Sequence, residues 1–124
     1  MSAVMDAKKI LQSCGLEQLE LIYASNIPKE MQDNTDKTIA LITDVDMRLG
    51  LDGNDTFHGA EKEVEIQLFY KLDIDFDLDS FEFALLKLFR DNHWSIADIR
   101  EHTVDPDTLQ VAWVFYVVEH KILN

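Results

Sequence analysis

The chain has a single cysteine, Cys14, so no internal disulfide can staple the fold. Basic residues are scarce: 11 lysines and arginines stand against 24 aspartates and glutamates. The resulting formal charge of −13 repels phosphate backbones and anionic headgroups alike, which disfavours specific nucleic-acid binding and membrane docking. Long apolar runs are missing too. The longest, Val111 to Val118, has the length of a strand and falls far short of the roughly 20 residues that a membrane helix needs. The first residues, MSAVMDAKK, form neither an apolar signal core nor a basic leader, so the expectation is a protein made in the cytoplasm. With two prolines and four glycines there is no proline-rich or glycine-rich linker. What remains is 124 residues, 47% hydrophobic and 10% aromatic, enough to fill one interior and bury roughly two-thirds of the unfolded surface. The expectation is a single domain over residues 1–124.

Periodicity predicts the elements. Ser2 can cap a first helix in which Val4, Ala7, Ile10 and Leu11 line one face until Gly15 stops it. Leu16 to Tyr23 reads as a strand, Ser25 to Asp36 as a polar loop containing Pro28, and Lys37 to Val45 as a second strand covered on both sides. Asp46 to Gly59 holds three of the four glycines and a DGND cluster, and reads as a long connection with positive φ at Gly53 or Asn54. Glu61 to Tyr70 alternates cleanly, Val64, Ile66, Leu68 and Tyr70 opposing Glu63, Glu65, Gln67 and Phe69.

Asp79 or Ser80 can cap a second helix with Phe81, Ala84, Leu85, Leu88 and Phe89 on its apolar stripe, widened by Phe83 and Leu86. Trp94 to His102 reads as a strand, Asp105-Pro106-Asp107-Thr108 as a turn, and Leu109 to Ile122 as a closing strand with two apolar faces. The fold class is therefore α+β, a mostly antiparallel sheet packed by two helices in the order α-β-β-β-α-β-β.

Chemical motifs are few. Asp73, Asp75, Asp77 and Asp79 alternate like the first ligands of a calcium loop, but the sixth position from Asp73 is Leu78 where glycine is needed and the twelfth is Ala84 where glutamate is needed. An extended segment with its aspartates in water and Ile74, Phe76 and Leu78 inward is the preferred reading. His58, His93, His102 and His120 are scattered without an HxH or HxxxH pair, no serine sits in a GxSxG elbow, and no glycine cluster leads into Lys-Ser/Thr. No catalytic, cofactor or metal residue is assigned. The last strand is different: Trp113, Phe115 and Tyr116 beside four valines leave more apolar surface than two helices can cover, which argues for self-association.

Four stretches, IPKEMQDNTDKTIALITDV, GNDTFHG before an alternating strand, an acidic lead into a helix followed by HW, and DPDT before a closing strand, resemble a family of small proteins of siphophages of Gram-positive bacteria over roughly residues 17 to 122. The resemblance implies a non-enzymatic tail-completion or tail-terminator protein without a cofactor. Such a protein forms a hexameric ring on the tail tube, meets the major tail protein and a head-completion protein, and resides in the virion tail. It also implies interaction residues in the loops and the last strand, and we assign Pro28, Met31, Phe57, His58, Trp113, Phe115 and Tyr116 to that role. The alternative is an acidic inhibitor or immunity protein that binds a basic partner or mimics nucleic acid.

Overall fold

In the computed structural model, which describes residues 2–53 and 56–122 (backbone alone at 48–53, 56–58 and 122), Ser2 opens the first helix, α1 (Ala3–Gln12). Its hydroxyl accepts from the Met5 N–H at 3.2 Å, satisfying one of the donors that a helix start leaves without a partner. Ala3, Val4, Ala7 and Leu11 are buried, one face as the spacing predicts. Gly15, at φ +70°, then turns the chain in a conformation that side chains with a Cβ resist.

The first strand, β1 (Leu21–Ala24), is shorter than predicted, because residues 16–20 form a turn closed by the Leu19 N–H on the Leu16 carbonyl at 3.2 Å. A single 3₁₀ turn (Lys29–Met31) follows, and then β2 (Ile39–Gly53). The intervening loop carries the chain back to the end from which it came, so β1 and β2 pair in parallel. The pairs β2–β3, β3–β6, β4–β6 and β5–β6 are all antiparallel.

The long connection expected at Asp46 to Gly59 is instead a hairpin arm. β3 (Thr56–Phe69) runs beside β2 from Ile39↔Phe69 through Gly50↔Gly59 to Gly53↔Thr56. Two of the three glycines thus face each other across a ladder, and backbone pairing, which glycine only weakens, overrides its preference for turns. Asn54 and Asp55, where the turn falls, lie outside the described residues, and with them the left-handed backbone expected at Gly53 or Asn54. A bulge between Asp44 and Asp46 leaves Val45 unpaired and exposed.

The second helix, α2 (Leu78–Asp91), starts earlier than predicted: Asp77, two residues before Asp79, is the cap, its Oδ1 accepting from the N–H groups of Asp79 at 3.0 Å and Ser80 at 3.5 Å. Asp77→Ala should cost about 1 kcal/mol, read as a lowered midpoint in urea denaturation with an unchanged slope. After α2 come β4 (Ser95–Ile99), β5 (Thr103–Val104) and β6 (Val111–Ile122), the predicted closing hairpin with its first arm broken in two. Leu109 belongs to the turn, at φ 64°.

The sheet order is β1-β2-β3-β6-β4, with β5 also beside β6. Register sets the faces: Ala40, Leu68 and Trp113 form one cross-strand row, Ile42, Ile66 and Phe115 the next. These side chains, with Val64 and Val117, make one core with Val4, Ala7 and Leu11 of α1 and Phe81, Leu85 and Phe89 of α2. Both helices therefore cover the same face. Phe83 does not widen the core stripe; it is 71% exposed on the outer side of α2. Among the described residues the opposite sheet face carries no helix, and there Leu41, Phe69, Ala112, Val114, Tyr116 and Val118 are only half-buried. No helix among the described residues is long and apolar enough to cross a membrane.

Candidate functional site

The helix-free face ends in a groove. Its floor is one cross-strand row, Ile39 of β2 paired with Phe69 of β3, Phe69 with Ala112 of β6, and Ala112 with Thr103 of β5. One wall is the loop 26–36. Pro28, with its fixed φ, opens the 3₁₀ turn, which brings Met31 over the floor. The Asn34 side-chain oxygen accepts from the N–H groups of Asp36 at 3.1 Å and Lys37 at 3.0 Å, and the Leu72 N–H ties the loop down through the Thr35 carbonyl at 2.9 Å.

The other wall is the DPDT turn. Asp105 Oδ1 accepts from the Asp107 N–H at 2.8 Å, and the Asp105 N–H meets the Gln110 carbonyl at 3.0 Å. Gln110 spans the two walls, its Nε2 donating to the Asn34 carbonyl at 3.5 Å. The groove has a volume of about 430 Å³, with Ile27, Met31, Ile39, Phe69, Val104 and Pro106 as its apolar lining and Asp105 and Gln110 among its polar groups. Among the described residues of the lining, Asp105 is the titratable one, its Oδ1 accepting from the Asp107 and Thr108 N–H groups, and the apolar remainder suits reception of an apolar side chain.

Of the residues assigned from sequence, Met31 lines this groove, and Pro28 belongs to its wall loop without lining it. Trp113 and Phe115 do not: they are 3% and 0% exposed beneath the helices, which removes them as surfaces for a partner. Strand parity is the reason, since alternate residues of β6 face the helices while Ala112, Val114, Tyr116, Val118 and His120 face outward. Tyr116 is on the open face but outside the groove. Its hydroxyl donates to Glu65 Oε2 at 2.7 Å and Arg100 lies over its ring at 5.5 Å; the hydrogen bond to Glu65 holds the phenol above its ordinary pKa. The side chains of Phe57 and His58 lie outside the described residues. Sequence reasoning missed Ile39 and Phe69, although Phe69 carried a signal, being the aromatic residue on an otherwise polar strand face.

Three other clusters bear on chemistry. Asp73, Asp75, Asp77 and Asp79 are exposed while Ile74, Phe76 and Leu78 pack against the core; Lys71 pairs with Asp75 at 3.1 Å and Asp77 serves as the cap of α2. Among the described residues, no three His, Cys, Asp or Glu side chains come together in a way that could hold a metal ion. Ser95 Oγ lies 2.7 Å from His120 Nε2, and His120 Nδ1 is 3.6 Å from Glu61. The three are on the outward faces of adjacent strands, where the backbone is engaged in the β3–β6 and β4–β6 ladders rather than left to hold an oxyanion. On the other side of the sheet, Glu82 is buried between Tyr70 and His102, within hydrogen-bonding distance of both.

A family profile described as "Protein of unknown function (DUF806)" matches residues 2–123. No curated protein matches the chain. Among solved structures, the chain is similar to the sheath/tube terminator of an extracellular contractile injection system, PVC, in its extended state, at 10% identity and a TM-score of 0.50. That likeness takes in 100% of this chain and 58% of the terminator, so the chain spans little more than half of that protein's length.

Proposed function

The chain belongs to the DUF806 family, and on that premise we propose that it is a structural, non-enzymatic tail terminator of a siphophage of Gram-positive bacteria. Copies join as a hexameric ring on the end of the tail tube, cover its growing surface, and offer a second face to a head-completion protein. The observation that carries this reading is the one-sided fold: both helices lie on one face of the sheet, and the other face, half-buried and partly apolar, has no layer of its own over it. The fold shared with an injection-system terminator supports it, as does an acidic charge suited to a channel through which DNA passes without adhering. The alternative, an acidic inhibitor, relies on the aspartates of residues 73–79, two of which are already engaged by Lys71 and the start of α2.

Light scattering after size exclusion tests the proposal. The expected mass is near six copies of the 14.3 kDa chain, and the protein added to polymerising tail-tube protein should arrest tube growth. A one-copy mass together with unimpeded tube growth would overturn it. A one-copy mass with tight, salt-sensitive binding to a basic protein would favour the inhibitor.

A further inference from the structure

The molecule presents a knob and a groove on opposite sides. Phe83, 71% exposed, is the most exposed large apolar side chain among the described residues. It stands on the outer side of α2, with Lys87 and Arg90 following it at i+4 and i+7 and both exposed; Lys87 also pairs with Asp91 at 2.7 Å. The apolar groove between loop 26–36 and the DPDT turn lies on the far face of the sheet, so no subunit can place its own Phe83 there. The groove's lining includes one carboxylate, Asp105, and the segments that rim it carry exposed Glu30, Asp33, Asp36 and Asp107 against exposed Lys29 and Lys37, acidic on balance. Val104 extends the apolar lining outward, 58% exposed.

From this complementarity of shape and charge we infer that the groove receives Phe83 of a second copy, with Lys87 and Arg90 of that copy against the aspartates of the rim. The assignment rests on the ring reading and names its contact surfaces. A helix laying an aromatic anchor into an apolar groove is a recurring mode of recognition. Because knob and groove are different patches, the contact is heterologous: each copy uses both, so assembly continues past a dimer and gives a ring where the rotation closes. Lys87 and Arg90 share their face of α2 with exposed Asp79 and Asp91, so the apolar anchor carries the contact and the two cations give it a direction toward the acidic rim.

Two exposed substitutions test this without touching the core. Phe83→Asp removes the knob, and Val104→Asp places a charge in the groove. Each variant alone should run as a single copy with the circular dichroism of the wild type. Mixed in equal amounts they should form a one-to-one dimer and nothing larger, because the intact knob of the Val104→Asp copy fits the intact groove of the Phe83→Asp copy and the remaining two patches are dead. Salt at 1 M should weaken that dimer several-fold. A wild-type ring that survives Phe83→Asp, or two single-copy variants that fail to pair, would overturn the contact and leave the ring standing. A wild type that stays a single copy at every concentration and leaves tube growth unimpeded would overturn both.

Discussion

Phe115→Ala should cost about 3–5 kcal/mol, at the upper end of what a single truncation of a core side chain costs. Phe115 is 0% exposed, at the middle of β6, with its ring 6.0 Å from Phe89 in an edge-on arrangement and 4.8 Å from Trp113. It is thus the point at which α2, through Phe89, is joined to the central strand. Alanine there removes apolar contact on both sides and leaves a cavity that neighbours fixed by the β ladders fill poorly. Against a total stability of roughly 5–15 kcal/mol, the variant should show a large fall in the urea midpoint. The control is Val114→Ala, one residue away on the open face, which should cost less than about 1 kcal/mol in the free subunit. Equal losses for the two would contradict the assignment of faces.

The second large effect centres on Glu82. It is 6% exposed, yet its Oε2 accepts the Tyr70 hydroxyl at 2.5 Å and lies 2.6 Å from His102 Nε2. His102 in turn stacks on Trp113, with rings 6.0 Å apart and 16° from parallel. One carboxylate therefore links α2, the end of β3 and the segment leading into β5. Glu82→Ala leaves the Tyr70 hydroxyl in the core without an acceptor and should cost about 3 kcal/mol. Adding Tyr70→Phe and replacing Glu82 by leucine instead removes both polar partners together, and most of that loss should be recovered, since His102 is exposed and can turn to water. A double variant no more stable than Glu82→Ala would refute the pairing.

Tyr70 adds a pH signature. Burial, and then the hydrogen bond to Glu82, hold its hydroxyl well above the ordinary phenol pKa. The unfolded chain releases this proton near pH 10 while the folded chain keeps it. Its contribution to stability is therefore complete below about pH 10 and declines as pH rises beyond. Denaturation followed from pH 8 to 11 should show this decline in the wild type and a shallower one in Tyr70→Phe.

The elements that were legible in sequence are those whose own residues carry a period. Val64, Ile66, Leu68 and Tyr70 alternate because every second residue of a paired strand meets the core, and each is buried. Ser2 and the spacing of Val4, Ala7 and Leu11 define α1 for the same kind of local reason. The arm from Asp46 to Gly59 was misread because its glycines carry the chemistry of a turn, while its strand character comes from pairing with residues met later in the chain. Glu82 was passed over because a carboxylate inside an apolar stripe has no local explanation, and its partners are 12 and 20 residues away.

By itself, then, the sequence determined the α+β class, the order of elements, the absence of a disulfide and the acidic surface, all of which follow from composition and short-range periodicity. Tertiary structure decided which apolar surface is spent on the core and which is left over. Two apolar faces on β6 are indistinguishable as a string. Only the placement of both helices on one side of the sheet buries Trp113 and Phe115 and leaves Phe69 and Ala112, under loop 26–36, as the floor of a groove. That groove is built from segments brought together across four strands, and no period along a single segment can encode it.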